Sequence, residues 1–299
     1  MKIFSGTSNK PLAEKIAHAL NSTLSPIEIF VFPDGEKRIQ IKERVVGEDC
    51  IVVQPTSTPV DAAYMELFFI IDGLKRSGAR SVTVVIPYLG YQRQDHIFRD
   101  GEAVSLDVVV HALEGAGASK VITFDLHSIK IPEVFSVPVI QLSALPLFAK
   151  KIKELGDGVL VSPDLGGLRR INQLSKLLDG RPWIATVKDR DLDTGKIVIK
   201  EFEGDKSQIK NKVFIVDDMI ASGGTIVEAA KLLKENGAKE IYVFATHAVF
   251  SHEAPELLQS SIVEKVFVTD SVFISQDKHF PKLHVLSIAE MTAKEINEK

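Results

Sequence analysis

Three times along the chain a helical stretch ends in Gly-Ala and runs into a short apolar segment: "SGARSVTVVIPY" (77–88), "GASKVITFDLH" (117–127) and "GAKEIYVFATH" (237–247). A glycine that stops a helix just ahead of a buried strand predicts alternating helices and strands. Strands that are apolar on both faces belong in parallel sheets covered by helices, so the expected fold class is α/β. The second and third segments match in register at an offset of 120 residues, sharing Gly, Ala, Phe and His. The match predicts two related domains, each a mainly parallel sheet flanked by helices. The chain of 299 residues has room for two domains of about 150, each with its own core. A boundary near 144–156 divides it into 1–147 and 148–299. The last stretch, "LSIAEMTAKEINEK", reads as a charged amphipathic helix free to pack on the first domain.

One stretch asks for a ligand. In "VFIVDDMIASGGTI" (213–226) the apolar run Val213 to Val216 leads into Asp217 and Asp218, then into a small-residue turn before a helix that stops at Gly237. A glycine-bearing turn at a helix N-terminus leaves backbone N–H groups unpaired, and a phosphate fits there. The aspartates would repel that phosphate, so they serve hydroxyls or a metal beside it, and a sugar phosphate satisfies both requirements. A plain strand-to-helix turn with a capping hydroxyl and two solvated acids is the competing reading.

The rhythm breaks once. "WIATVKDRDLDTGKIVIKEFEG" (183–204) reads as two strands around a charged tip, a hairpin standing off the sheet. Lys188 and Arg190 are two apart and face the same way on an extended segment, although a solvated loop would carry them equally well.

Composition narrows the function. Formal charge is −4 from 36 basic and 40 acidic residues, with no basic stripe, which argues against a nucleic-acid partner. The single cysteine, Cys50, excludes an intrachain disulfide framework and a zinc site of several cysteines. No apolar run reaches membrane-spanning length, and the expectation is a soluble cytoplasmic protein without a membrane partner. Neither GxxxxGK[ST] nor a GxGxxG after a strand occurs, so a nucleotide must be held in another way.

Four further segments offer that chemistry. "FPDGE" (32–36) has ordinary turn residues but leaves Phe32 as an aromatic face beside Asp34 and Glu36. "YQRQD" (91–95) follows an apolar strand and sets Arg93, Gln94 and Asp95 at its carboxyl end, where open α/β sheets bind ligands. "FDLHS" (124–128) puts Asp125 and His127 on one side of a strand end, a spacing suited to a metal, and "VSPDLGGLRR" (161–170) repeats the strand–acid–glycine theme with Asp164.

In this order, together with "KIFSGTSNKPLAEKIAHAL" and the "KDR" hairpin, these segments resemble ribose-phosphate pyrophosphokinases over nearly the whole chain. The resemblance implies two phosphoribosyltransferase-like domains with a β-hairpin flag in the second. It implies transfer of the diphosphoryl group of Mg-ATP to the 1-hydroxyl of ribose 5-phosphate, giving 5-phosphoribosyl 1-pyrophosphate and AMP. Mg²⁺ would be the cofactor, and a homo-oligomer the working form. By motif, Asp34, Gly35, Glu36, Arg93, Gln94 and Asp95 would hold ATP, with Phe32 against the adenine. His127 and Asp164 would attend the metal. Asp217 and Asp218 would hold the ribose hydroxyls, and Ala221, Ser222, Gly223, Gly224 and Thr225 the 5-phosphate. Lys188 and Arg190 would be the catalytic pair, Arg190 also touching ribose 5-phosphate.

Ala221-Ser222 departs from the Asp-Thr common before Gly-Gly-Thr in the family, and "RQDHIFRDGEAVS" differs from its lysine-rich version. A phosphoribosyltransferase would explain 213–226 but leave "FPDGE" and "YQRQD" idle. A catalytically silent regulatory relative would leave Lys188, Arg190 and His127 without a task.

Overall fold

The computed structural model describes residues 1–190, 197–209, 211–251 and 253–298; of 188–190 and 197–201 it describes the backbone. The chain divides into two compact units, the first formed by Met1–Leu142 with Ser271–Phe273 and the stretch from Ser287 on, the second by Ser143–Asp270 and Ile274–Leu286.

The first unit opens with β1 (Lys2–Ser5) and α1 (Lys10–Ala19), whose start is fixed by the Asn9 side chain accepting from Leu12 N–H. A separate antiparallel ribbon follows, β2 (Ile27–Val31) against β3 (Lys37–Ile41). Then come β4 (Asp49–Val53), α2 (Val60–Arg76), β5 (Ser81–Ile86), α3 (Ser105–Ala116), β6 (Lys120–Phe124) and β7 (Val139–Leu142). The five long-range strands pair in the order β1-β4-β5-β6-β7, all parallel. Phe4, Val52, Val84 and Val121 from this sheet pack with Leu67, Ile71, Val110 and Leu113 of α2 and α3 into one apolar core. Gly117 ends α3 in the left-handed region at φ +112, the conformation the Gly-Ala signal called for.

The second unit runs α4 (Leu145–Leu155), β8 (Val159–Ser162), α5 (Leu168–Leu177), β9 (Trp183–Arg190), β10 (Ile197–Glu203), β11 (Asn211–Ile220), α6 (Gly224–Glu235), β12 (Ala238–Ala248), α7 (Ala254–Ser260), β13 (Lys265–Thr269) and β14 (Leu283–Leu286). Its seven strands are ordered β10-β9-β8-β11-β12-β13-β14 and only β10 is antiparallel to its neighbour. The last helix, α8 (Ala289–Asn297), belongs to the first unit and lies against α1. No described helix is long and apolar enough to cross a membrane.

One sequence expectation changes and another is refined. Leaving aside α4 and α8, each unit runs strand, helix, hairpin, strand, helix, strand, helix and two strands, so sheet order makes β12 the counterpart of β5. The 120-residue match instead aligns β6 with β12: Gly-Ala before an apolar run suits any helix-to-strand junction and cannot by itself fix the register of a repeat. The second hairpin is rooted in the sheet and stands off it only further out: past Ala185, β9 pairs with β10 alone among the described residues. Trp183, Ile184 and Ala185 of β9 pair in parallel with Leu160, Val161 and Ser162 of β8, which makes the hairpin the edge of the sheet.

Candidate active site

The paired aspartates lie inside β11 rather than beyond it. β8 pairs with β11 only as far as Ile215, whereas β12 accompanies it to Ile220, leaving Asp217 and Asp218 past the end of one neighbour. Asp217 accepts from the Asp218 N–H at 2.8 Å, and Asp218 from the Met219 N–H at 3.0 Å. Arg170, in the first turn of α5, reaches both: Nη1 is 3.2 Å from Asp217 Oδ1 and Nη2 3.6 Å from Asp218 Oδ2. Burial and the neighbouring Asp218 charge push the Asp217 carboxyl well above the usual carboxylate range; Arg170 pulls the other way and Asp164 adds to the rise. The site therefore gathers negative charge that one guanidinium offsets in part.

Asp164 belongs to the same constellation. Its side chain accepts from Gly167 N–H at 3.1 Å, which turns the chain from β8 into α5 and presents Arg170. A side chain at 167 would meet Ser162 Oγ, since a Cβ there would stand 2.3 Å away.

The loop after β11 has the geometry of an anion cradle. Gly223 is left-handed at φ +78 and precedes α6 directly. The carbonyls of Ile220 and Ala221 accept from Phe250 and Ser251, each at 3.0 Å, whereas the amides of 222–225 donate to no group among the described residues. Ser222 is exposed and Thr225 half-buried, both within the stretch that carries the open amides. An anion here would meet unpaired donors at the positive end of a helix.

In the first unit, Phe32, Asp34, Gly35 and Glu36 form the exposed tip of the β2–β3 ribbon, closed by Phe32 N–H to Glu36 O at 2.8 Å. Phe32 stands edge-on to Phe30 with centroids 5.0 Å apart. Arg93, Gln94 and Asp95 occupy the loop after β5; Asp95 contacts His96 at 2.6 Å. Buried Gln92 accepts from the His127 N–H at 2.9 Å and thereby ties this loop to the end of β6. Among the described residues no hydrogen bond or ion pair joins the ribbon tip to the 91–95 loop.

Asp125 and His127 do not share one side of a strand as expected. β6 ends at Phe124, Asp125 turns to φ +32 and is buried, and His127 is exposed, so strand alternation no longer applies. Lys188 and Arg190 lie on β9 with backbone partners Ile199 and Ile197, but their side chains, and all of 191–196, lie outside the described residues.

Among the described residues no three His, Cys, Asp or Glu side chains cluster as a ready-made metal cage. Magnesium seldom needs one, because it is held by one or two carboxylates together with substrate phosphates and water. The oxygen donors of Asp164, Asp217 and Asp218 suit such an ion, and the raised Asp217 carboxyl is where a cation would relieve charge. His127 belongs to the other unit.

Arg170 lies within "VSPDLGGLRR" but belongs to none of the motifs read from the sequence. A basic residue in the first turn of a helix opposes the helix dipole, and that conflict is the signal that a nearby acid holds it there.

A parallel α/β unit bearing an acid pair and an open amide loop, joined to a second unit of like topology, defines a phosphoribosyltransferase-like enzyme. Residues 1–117 match the family described as the N-terminal domain of ribose phosphate pyrophosphokinase, and 204–298 the phosphoribosyl synthetase-associated domain. The chain is 40% identical to a ribose-phosphate pyrophosphokinase of Gloeobacter violaceus, covering 99% of this chain and 89% of the relative. Identity to a ribose-phosphate pyrophosphokinase of Fusobacterium nucleatum is 39%, over 99% and 94% of the two chains. The crystal structure of phosphoribosylpyrophosphate synthetase from Mycobacterium smegmatis superposes with TM-score 0.91 at 35% identity, covering 99% of this chain and 97% of that one. The chain belongs to the ribose-phosphate pyrophosphokinase family and is an enzyme, a transferase of diphosphate groups.

Proposed function

We propose that the enzyme transfers the β,γ-diphosphoryl group of Mg-ATP to the 1-hydroxyl of ribose 5-phosphate, releasing 5-phosphoribosyl 1-pyrophosphate and AMP. The observation that carries this reading is the succession along β11 and into α6: two acids held by Arg170, then open amides. Asp217 and Asp218 accept from the ribose 2- and 3-hydroxyls, and the 222–225 amides with Ser222 and Thr225 hold the 5-phosphate. This orients the 1-hydroxyl oxygen, which bonds to the β-phosphorus as the bond from that phosphorus to the α–β bridging oxygen breaks. AMP leaves with the bridging oxygen and the hydroxyl gives up its proton.

Arg93, Gln94 and Asp95 bind ATP together with Asp34, Gly35 and Glu36, and Phe32 stacks on the adenine. The exposed ribbon tip, unbonded to its own 91–95 loop, supports action at a neighbouring subunit's nucleotide and so a homo-oligomer. Lys188 and Arg190 meet the charge that gathers on the bridging and transferred oxygens, the dominant need in phosphoryl transfer. Magnesium, when bound, neutralises the polyphosphate oxygens; in the second unit Asp164, with the acid pair, would hold it, and His127 would attend magnesium on the first unit.

Incubation of the purified protein with ribose 5-phosphate and Mg-ATP tests the reading. AMP should appear in step with phosphoribosyl pyrophosphate. ADP as the main nucleotide product, or no turnover, would sink it.

A further inference from the structure

Glu66 of α2 is completely buried, yet no step of the reaction uses it. It draws three separate elements together. Thr7, in the loop after β1, donates its N–H at 2.6 Å and its hydroxyl at 2.9 Å. Gln54, just past β4, donates from Nε2 at 3.0 Å. Lys37, the first residue of β3, places Nζ 2.6 Å away, with a second contact of 3.4 Å to Ala62 O one helical turn earlier.

The ribbon needs such a tie. A two-stranded ribbon on its own is marginal, and this one shares no strand pairing with the five-stranded sheet. Ile27, Ile29, Ile39 and Ile41 pack it on the core, but apolar contact does not fix direction. Among the described residues, and apart from Lys42 next to the end of β3, which reaches back to Glu28 and Gln40, Lys37 makes every side-chain hydrogen bond and ion pair by which 27–41 grips the rest of the unit. Lys37 also directly follows Glu36, so the grip sits at the base of the tip. A charge-assisted contact is short and directional, and Glu66, wholly buried, cannot turn to water instead.

We propose that Lys37 and Glu66 are a positioning pair that aims the ribbon tip, residues 32–36, at the nucleotide. The inference rests on the proposed nucleotide role of that tip. Thr7 and Gln54 hold the Glu66 carboxylate at a fixed angle, α2 carries it, and Lys37 transmits its position to Phe32, Asp34 and Glu36. Neither Lys37 nor Glu66 needs to touch substrate.

The test uses the full-length protein with Lys37→Met, Lys37→Arg and Phe32→Ala, measuring amide hydrogen exchange and steady-state kinetics. In Lys37→Met, exchange across 27–41 should quicken by about tenfold relative to β4 and β5. KM for ATP should rise by roughly tenfold, while kcat and KM for ribose 5-phosphate stay within about twofold. Lys37→Arg should restore much of both. If Lys37→Met does not fold because Glu66 is left buried and unpaired, Lys37→Met combined with Glu66→Gln removes both charges and takes its place. Unchanged exchange in the ribbon would overturn the anchoring. Faster exchange with a normal KM for ATP, while Phe32→Ala raises that KM, would overturn the positioning role. If Phe32→Ala also leaves KM for ATP unchanged, the nucleotide reading of the tip fails, and the positioning inference falls with it even though the anchor stands.

Discussion

Arg170 Nη1 lies 3.2 Å from Asp217 Oδ1, and this contact brings a cation from the first turn of α5 onto a buried acid of β11 whose carboxyl burial and Asp218 push well above the usual carboxylate range. Asp217 binds its proton more tightly in the folded chain than in the unfolded one. Its contribution to stability is therefore greatest in acid and is lost as pH rises from about 4, the ordinary carboxylate value, through the raised folded value. Once ionised, the acid pair is a cost that the bound sugar would offset.

Replacing members of this cluster should move stability in opposite directions. Asp217→Asn should raise the thermal midpoint of the ligand-free protein at pH 7.5, the gain shrinking as pH falls toward and below about 4, where the carboxyl becomes protonated in the unfolded state as well. Its KM for ribose 5-phosphate should rise ten- to hundredfold, matching a lost hydrogen bond to a charged group of about 1.5–3 kcal/mol. Arg170→Met should lower stability by about 2–3 kcal/mol, less than for a wholly buried pair because the Arg170 side chain keeps 15% exposure. Thermal melts over a pH series check both.

Gly223 tests the amide cradle. At φ +78 any L-residue is strained, yet an added Cβ would have ordinary contact with Leu258 at 3.5 Å, so the penalty is conformational rather than steric. Gly223→Ala should cost about 1–2 kcal/mol of stability and raise KM for ribose 5-phosphate more than it lowers kcat. Gly223→Asn should be milder, because asparagine enters the left-handed region more readily. Equal effects from both would show that the loop conformation is not what binds phosphate.

Lys188 separates chemistry from binding. Lys188→Ala should fold and bind ribose 5-phosphate normally, yet lose about 10²–10³ in kcat, the usual cost of removing one donor aimed at transition-state charge. Retention of more than about a tenth of wild-type kcat, a loss under roughly 1.4 kcal/mol, would return the hairpin to a solvated edge.

Phe32 probes assembly. Its side chain is 37% exposed, so Phe32→Ala should change stability by no more than about 0.5 kcal/mol. KM for ATP should nevertheless rise by the equivalent of about 1–3 kcal/mol of lost base stacking. Mixed with Lys188→Ala chains, it should regain activity, since some interfaces then join an intact tip to an intact catalytic strand. Full activity in a verified monomer would refute the shared site.

What the sequence determined by itself was local. The strand–Asp–Asp–loop–helix order of 213–226, the helix stops at Gly117 and Gly237 and the turn at Pro33 to Gly35 follow from residue types acting on their own backbone, and these fixed the fold class and most of the candidate site. Only the tertiary structure decided contacts between segments far apart in the chain. Arg170 meets Asp217 across 47 residues and Gln92 meets His127 across 35, while Lys37 and Glu66 are 29 apart. No periodicity encodes such pairs, because each depends on which strands become neighbours, and sheet order is set by packing the whole core. For the same reason the repeat was legible but its register was not. Gly-Ala before an apolar run states that a helix gives way to a strand, whereas the identity of β12 as the counterpart of β5 is a property of its neighbours, β11 and β13.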